Sequence, residues 1–155
     1  MATSQLSAHD VFSYLRPEEI NAIDNASQTV ERPGGAIVYS RGEEAKYLWV
    51  LLDGQVALQL PGKKGFSIPI ESLARGAIFG ASASFEPGTY MLTAQCLTNS
   101  KMLKIDAAVL RRVMDDNCRM GYALQKHISD LYYKRCIETM HQLQAIVMSI
   151  PLEAQ

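Results

Sequence analysis

The chain has 155 residues, 48% of them hydrophobic and 20% charged, and its 15 basic and 16 acidic residues give a formal net charge of −1. This length and composition suffice for one domain with its own core and exclude a mostly disordered chain. The balanced charge lacks the basic excess that most nucleic-acid-binding proteins carry. Within this single domain, 1–155, the pattern predicts lead-in helices over 5–28, β-strands over 30–105 and helices over 106–149.

The N-terminal segment 5–28 repeats its apolar residues at helical spacing. Ser7 or Asp10 is placed to cap the first turn, because short polar side chains accept hydrogen bonds from the unpaired N–H groups there. Pro17 is placed to open a second short helix, since proline fits the first helical position. The apolar residues that carry this pattern are Val11, Tyr14, Leu15, Ile20 and Ile23.

The segment 30–105 consists of short runs of Val, Ile, Leu and Tyr separated by glycine turns. Such regularly spaced runs are typical of antiparallel strands in a sandwich or a barrel. Asp53-Gly54, between two apolar runs, predicts a hairpin. Lys63-Lys64 is expected at a second, solvated hairpin tip, and 89–105 supplies two further strands joined at 98–100.

After residue 106 glycine almost disappears and helical periodicity returns. Asp106 is placed to cap a short helix, and a longer helix is predicted from about 117 to 149, with a length of about 45 Å. The rest of the chain is too small to cover such a helix, so its distal half is expected to pack against its copy in a homodimer. The alternative is a helix packed wholly on its own barrel. The predicted dimer interface, from its heptad-like spacing, is Ile128, Tyr132, Cys136, Met140, Leu143 and Val147.

These elements, in this order, resemble the cyclic nucleotide-binding domain, and in particular the sensor half of the Crp/Fnr transcription regulators. The motifs that carry the resemblance are PGGAIVYSRGEEAKYLWVLLDGQVAL over 33–58 and LARGAIFG over 73–80, with turn glycines at Gly34 or Gly35, Gly42, Gly54, Gly76 and Gly80. The resemblance implies a mainly β fold with flanking helices. It is an eight-stranded double-stranded β-helix, or jelly-roll, with an N-terminal helix and a long C-terminal dimerisation helix that closes a cavity.

The resemblance also implies a ligand cassette that begins Phe-Gly-Glu and ends with an arginine. In the family the arginine holds the cyclic phosphate and the glutamate accepts a hydrogen bond from the ribose. Here the glutamate position is Ala81 and the arginine position is Tyr90. Losing a buried arginine–phosphate contact costs about 2–4 kcal/mol, so we do not expect cyclic AMP or cyclic GMP to bind in the usual way. The candidate ligand-binding residues are Phe79, Gly80, Ala81, Ser82, Ala83, Ser84, Tyr90, Met91 and Thr93.

Three interpretations of this cassette are open, and they leave the cofactor unknown. The first is a site for an anion or another small polar molecule. The second is a cavity filled by its own side chains, with Phe85 and Met91 as the candidates, which leaves a ligand-free scaffold. The third is a cyclic nucleotide held through backbone contacts alone. The groups that would serve the first are the N–H groups over 80–83 and the hydroxyls of Ser82, Ser84, Tyr90 and Thr93.

Enzyme chemistry is not indicated by the sequence. No histidine lies within 30–105, which argues against the histidine-rich metal site of cupin-type enzymes. No nucleophile motif and no phosphate-binding loop motif is present. His127, on the long helix, is the candidate for haem, which some members of the family bind through such residues. A solvated or hydrogen-bonded side chain is the alternative.

The expected function is therefore a ligand-sensing regulatory module. The chain stops at Gln155 without a helix-turn-helix, which predicts no DNA-binding element here and an output through an unidentified protein partner. The start lacks a signal peptide, and the longest uncharged stretches are 14 residues, too short to cross a bilayer. Three widely spaced cysteines indicate reduced thiols. We therefore expect a cytoplasmic protein with no membrane contact.

Overall fold

Eight antiparallel strands form two facing four-stranded sheets, with helices packed at the ends of the strand region. The computed structural model describes residues 12–13 and 15–151. The helices are α1 (Pro17–Asn25), α2 (Ala107–Asp116) and α3 (Cys118–Ser149). The strands are β1 (Ser27–Arg32), β2 (Ile37–Tyr39), β3 (Tyr47–Asp53), β4 (Val56–Pro61), β5 (Ser67–Leu73), β6 (Ile78–Phe79), β7 (Thr93–Cys96) and β8 (Ser100–Asp106).

The strand order is β1-β8-β3-β6 in one sheet and β2-β7-β4-β5 in the other. This arrangement confirms the predicted mainly β jelly-roll with an N-terminal helix and a long C-terminal helix. The core lies between the sheets, where alternate side chains from both inner faces meet. Its fully buried members include Leu48, Leu51, Val56, Met102, Leu103 and Ile105.

The lead-in region was predicted only in part. Pro17 opens α1, as expected. Strand β1 begins at Ser27, so the helical boundary at 28 was wrong by a few residues. Ser27 pairs with Ile105 at the edge of the sheet, and this pairing makes residue 27 part of the strand and not of the helix. The proposed caps Ser7 and Asp10, together with Val11 and Tyr14, lie outside the described residues.

The prediction of a hairpin at Asp53-Gly54 was wrong. Strand β3 pairs with β8 and β6, whereas β4 pairs with β5 and β7, so this turn carries the chain from one sheet to the other. Gly54 has φ +91°, and a Cβ there would lie 2.5 Å from the carbonyl oxygen of Asn99. A tight Asp-Gly turn can therefore connect strands of two different sheets as well as the two strands of a hairpin. The predicted hairpin between β4 and β5 is confirmed, with Lys63 and Lys64 exposed at its tip.

Helix α2 begins at the predicted cap Asp106, and α3 begins just after residue 117, close to its predicted start. The Asp106 carboxylate accepts a hydrogen bond from the backbone N–H of Val109 at 3.0 Å, and the side chain of Asn117 accepts one from the N–H of Met120 at 3.1 Å. The fully buried residues of α3 all lie in its first third. Its buried residues are Met120, Gly121, Leu124 and Ile128.

Candidate functional site

A small cavity lies between the end of β6, the segment that leads into β7, and helix α3. Its walls are Phe79–Ser82 and Tyr90–Leu92 on the strand side and Leu131, Tyr132 and Arg135 on the helix, with Tyr39, Leu58 and Ile78 at its inner end. Its volume is about 30 Å³, which is room for about two water molecules. The cavity therefore lies beside the predicted cassette, and its volume is smaller than that of a nucleotide.

The turn after β6 positions the cassette. Gly80 has φ +68°, and a Cβ there would lie 2.8 Å from Cδ1 of Trp49 and 3.1 Å from Cε1 of Tyr90. Glycine is required for both reasons, because other residues rarely adopt that φ and none has the space. A single 3₁₀ turn, Ala81–Ser84, follows directly and ends at the exposed Phe85.

Aromatic rings fill the inner end of the cavity. The rings of Tyr39 and Tyr90 stack with their centroids 3.7 Å apart, and Trp49 and Phe79 lie beside them. The Tyr90 hydroxyl donates to the carbonyl oxygen of Tyr47 at 2.8 Å and accepts from the Trp49 Nε1–H at 3.3 Å. Burial raises the pKa of Tyr90, so it stays protonated. Its only proton is already donated, and no donor is left for a ligand.

Six of the nine predicted site residues line the cavity: Phe79, Gly80, Ala81, Ser82, Tyr90 and Met91. The other three, Ala83, Ser84 and Thr93, do not. The Ser84 hydroxyl donates to the carbonyl oxygen of Ala81 at 2.9 Å, and Thr93 Oγ1 accepts from the backbone N–H of Arg41 at 3.0 Å. Both hydroxyls thus stabilise the local turns.

The candidates for filling the cavity were also wrong. Phe85 is 50% exposed, and Met91 borders the cavity but is 59% exposed. The stacked rings of Tyr39 and Tyr90 occupy the space in their place. The positions of the cassette residues can be counted from the sequence. The side-chain rotamers, which decide which ring enters the cavity, cannot be predicted in this way.

Helix α3 contributes two polar side chains to the cavity. The hydroxyls of Tyr132 and Ser82 lie 3.3 Å apart and share a hydrogen bond. Arg135 Nη2 donates to Oε2 of Glu71 on β5 at 2.7 Å, and its guanidinium lies 5.6 Å from the centroid of the Tyr132 ring. Arg135 Nε is buried and has no hydrogen-bond partner among the described residues.

Sequence reasoning missed Arg135. The signal that would have found it is the spacing of Ile128, Tyr132 and Arg135, four and then three residues apart, which places all three on one helical face. That face packs on the chain's own strands, so Ile128, which is 1% exposed, cannot form the outer interface for which it was predicted. Tyr132 is half-buried over the cavity, which corrects its predicted position as well.

The outer face of α3 carries a row of exposed apolar residues beyond the cavity. Tyr133, rather than Tyr132, starts this row, because it precedes Cys136 by three residues and is 69% exposed. We call this row the distal seam, and it consists of Tyr133, Cys136, Met140, Leu143, Val147 and Ile150.

Other kinds of site receive no support from the part of the chain that the structure describes. There, no three His, Cys, Asp or Glu side chains are grouped so as to hold a metal ion. No helix within the same residues has the length and apolar character needed to cross a membrane. His127 is not part of the cavity wall.

The chain resembles known proteins in sequence and in structure. The model of the cyclic nucleotide-binding domain matches residues 29–117. The CRP-like cAMP-activated global transcriptional regulator of Mycobacterium tuberculosis is 24% identical over 111 residues, which cover 72% of this chain and 50% of that protein. This chain thus spans about half the length of the curated relatives it matches.

Two solved structures share the architecture. The sensor domain of the transcriptional regulator DNR from Pseudomonas aeruginosa has a TM-score of 0.74 at 21% identity, covering 99% of this chain and 96% of that one. A protein from Geobacter metallireducens, provisionally described as cyclic nucleotide-binding, has a TM-score of 0.73 at 24% identity, covering 88% of this chain and 98% of that one. At these identities the likeness shows a shared fold.

Proposed function

The chain belongs to the cyclic nucleotide-binding domain family, and from that membership we propose that it is a non-enzymatic, ligand-sensing regulatory module. It acts as a homodimer through α3 and passes its signal to a protein partner. One protein named above is a transcriptional regulator and another is the sensor domain of a transcriptional regulator, which supports this role.

One observation carries the proposal: the same helix closes the cavity and presents the distal seam. Leu131, Tyr132 and Arg135 form one wall of the cavity, and Tyr133 and Cys136 begin the exposed seam on the adjoining face. A ligand that enlarges the cavity must displace this part of α3. Such a ligand has different contacts in the closed and open positions, which is the condition for shifting a two-state equilibrium.

Cyclic AMP and cyclic GMP are not expected to bind in the family's usual way. Ala81 stands at the glutamate position, and Tyr90, at the arginine position, is 4% exposed with its hydroxyl proton donated to Tyr47. A cyclic nucleotide would also require a cavity many times larger than about 30 Å³. Compact polar ligands fit the site better.

The dimer is proposed from the distal seam. A single chain leaves Met140, Leu143 and Val147 each more than half exposed. Apolar residues at alternating steps of three and four along a helix are typical of a two-helix seam. The described strand region does not cover them, so a second copy of α3 is the proposed partner.

The competing function is a ligand-free scaffold, and the small size of the cavity favours it. If the stacked rings of Tyr39 and Tyr90 never separate, no ligand larger than a few atoms enters. The fold then serves only to hold two copies of α3 together for a partner protein.

A ligand panel distinguishes the two functions. The intact protein is titrated with cyclic AMP, cyclic GMP, cyclic dinucleotides, haem and compact anions, while its melting temperature and sedimentation are measured. Binding to the native state alone raises the melting temperature by mass action. We expect a shift with at least one compact probe.

Tyr132→Phe and Tyr122→Phe form a matched pair for this assay. Tyr132→Phe removes the hydroxyl that links α3 to Ser82 and should change the response to ligand. Tyr122 is exposed on the same helix and lies outside both the cavity and the distal seam, so its substitution should leave that response unchanged. No shift with any probe, together with identical behaviour of the two variants, would support the scaffold.

A further inference from the structure

We propose that Arg135 is the ligand-binding cation of this cavity and that its ligand is a compact monoanion, a small carboxylate or oxyanion of about three or four heavy atoms. This inference rests on the ligand-sensing function proposed above and names the class of ligand. In this arrangement the charged contact comes from the helix and not from the cassette.

The unpaired donor of Arg135 is the first argument. A guanidinium carries five N–H donors and stays charged at all physiological pH values. Nη2 donates to Glu71, but Nε is buried in the protein without a partner among the described residues. Buried polar groups in native structures almost always have a partner, in the protein or in a bound molecule. The cavity that Arg135 lines is where such a molecule fits.

The chemistry of the cavity wall is the second argument. Arg135, Tyr132 and Ser82 all present groups that can donate hydrogen bonds, and the remaining wall is aromatic or aliphatic. None of the described residues that line the cavity is acidic. A site with a surplus of donors and a fixed positive charge selects an acceptor of negative charge.

Size decides which anions fit. A volume of about 30 Å³ corresponds to about two water molecules. Formate, nitrite and nitrate are in this range, and inorganic phosphate is larger and carries more charge. A small anion can enter while the Tyr39 and Tyr90 rings remain stacked.

Glu71 affects how tightly Arg135 can bind an anion. It is 38% exposed and Arg135 is 23% exposed, so the ion pair between them is partly open to solvent. An anion in the cavity and Glu71 compete for the same positive charge. Removing the carboxylate should therefore strengthen anion binding, while removing the guanidinium should abolish it.

The test uses the intact chain and three named probes: sodium formate, sodium nitrate and inorganic phosphate. Each probe salt replaces sodium chloride stepwise at constant ionic strength, and the ¹H–¹⁵N NMR signal of the Arg135 Nε–H group is followed. This measurement needs no mutation, so it stands even where a variant folds poorly. We expect formate or nitrate to move that signal in a saturable manner, with phosphate weaker.

Three variants test the assignment by thermal-shift titration with the same probes. Arg135→Gln should weaken binding by at least about tenfold. Lys134→Gln, the matched control, removes the same charge from the exposed neighbour and should leave binding unchanged. Glu71→Gln should tighten binding by about two- to tenfold.

The outcomes separate this inference from the proposed function. Saturable binding that Arg135→Gln and Lys134→Gln weaken equally would overturn the assignment, because ordinary charge screening would then explain it. Absence of any probe-specific change at the Nε–H group would also overturn it. The sensing function itself would still stand if a member of the wider panel shifted the melting temperature of Arg135→Gln as much as that of the wild type.

Discussion

Two aspartates in the distal seam should separate the proposed dimer. Leu143 is 59% exposed and Val147 is 56% exposed in the single chain, and both would be covered by a second copy of α3. Fully burying such a side chain stabilises by about 1.5–3 kcal/mol, so covering just over half of each contributes about 1–1.5 kcal/mol. In a symmetric dimer each residue is buried in both copies, so its contribution to the free energy of association counts twice.

The double variant Leu143→Asp, Val147→Asp therefore removes about 4–6 kcal/mol of apolar burial and adds like charges across the seam. Each 1.4 kcal/mol corresponds to a tenfold change in the dissociation constant. The dimer should weaken by at least about thirtyfold, even if half of that estimate is recovered elsewhere. Sedimentation velocity over a concentration series measures this directly.

The control carries the same charges on the opposite face of the helix. Gln142→Asp with Ala145→Asp adds two aspartates per chain at exposed positions outside the seam, so the dimer should persist. Circular dichroism checks that α3 stays helical in both variants. A dimer that survives Leu143→Asp, Val147→Asp with unchanged affinity would refute the distal seam as the interface.

Three substitutions test the packing that holds the site. Hydrogen bonds from Arg16 lower the pKa of Glu19 from an ordinary value of 4.5 to about 2, although burial of the carboxyl group acts in the opposite direction. Glu19→Gln should therefore cost about 1–2 kcal/mol at neutral pH, and its unfolding free energy in urea should lack the decline that the wild type shows as pH falls from about 4.5 towards 2. Equal pH profiles would contradict this. Gly80→Ala, strained at φ +68° and crowded by Trp49, should cost about 1–3 kcal/mol, and calorimetry should show a lower melting temperature. An unchanged melting temperature would exclude that crowding. Tyr90→Phe removes the hydroxyl that accepts from Trp49 Nε1 and should cost about 1–3 kcal/mol with a shift in tryptophan emission; unaltered emission would argue against that hydrogen bond.

The fold could be predicted because its signals are local and repeated. Glycine turns, short apolar runs and the caps Asp106 and Asn117 each depend on a few neighbouring residues. Which strands pair depends on contacts far apart in the chain, and that is where prediction failed. Asp53-Gly54 marks a turn correctly, but only the register of β3 with β8 shows that the turn joins two sheets.

The site was predictable in position and not in detail. Counting from the glycine turn located the cassette, and six of its nine predicted residues line the cavity. Ile128 and Tyr132 were assigned to the wrong surface, because they fit the same spacing as a dimer seam. Arg135 was missed because a charged residue in an apolar pattern is ordinarily solvated, and only its burial against Glu71 makes it notable.

The geometry of α3 gives a physical basis for the proposed coupling between the cavity and the distal seam. Adjacent residues on a helix point about 100° apart, so Tyr132 faces the cavity while Tyr133 faces outward. Any rotation of α3 that lets Arg135 reach further into the cavity turns Cys136 by the same angle. The helix is one rigid, hydrogen-bonded rod, so such a rotation continues along the distal seam. Under the proposed function, an anion of a few atoms would therefore alter the dimer without the large displacement that a nucleotide would require.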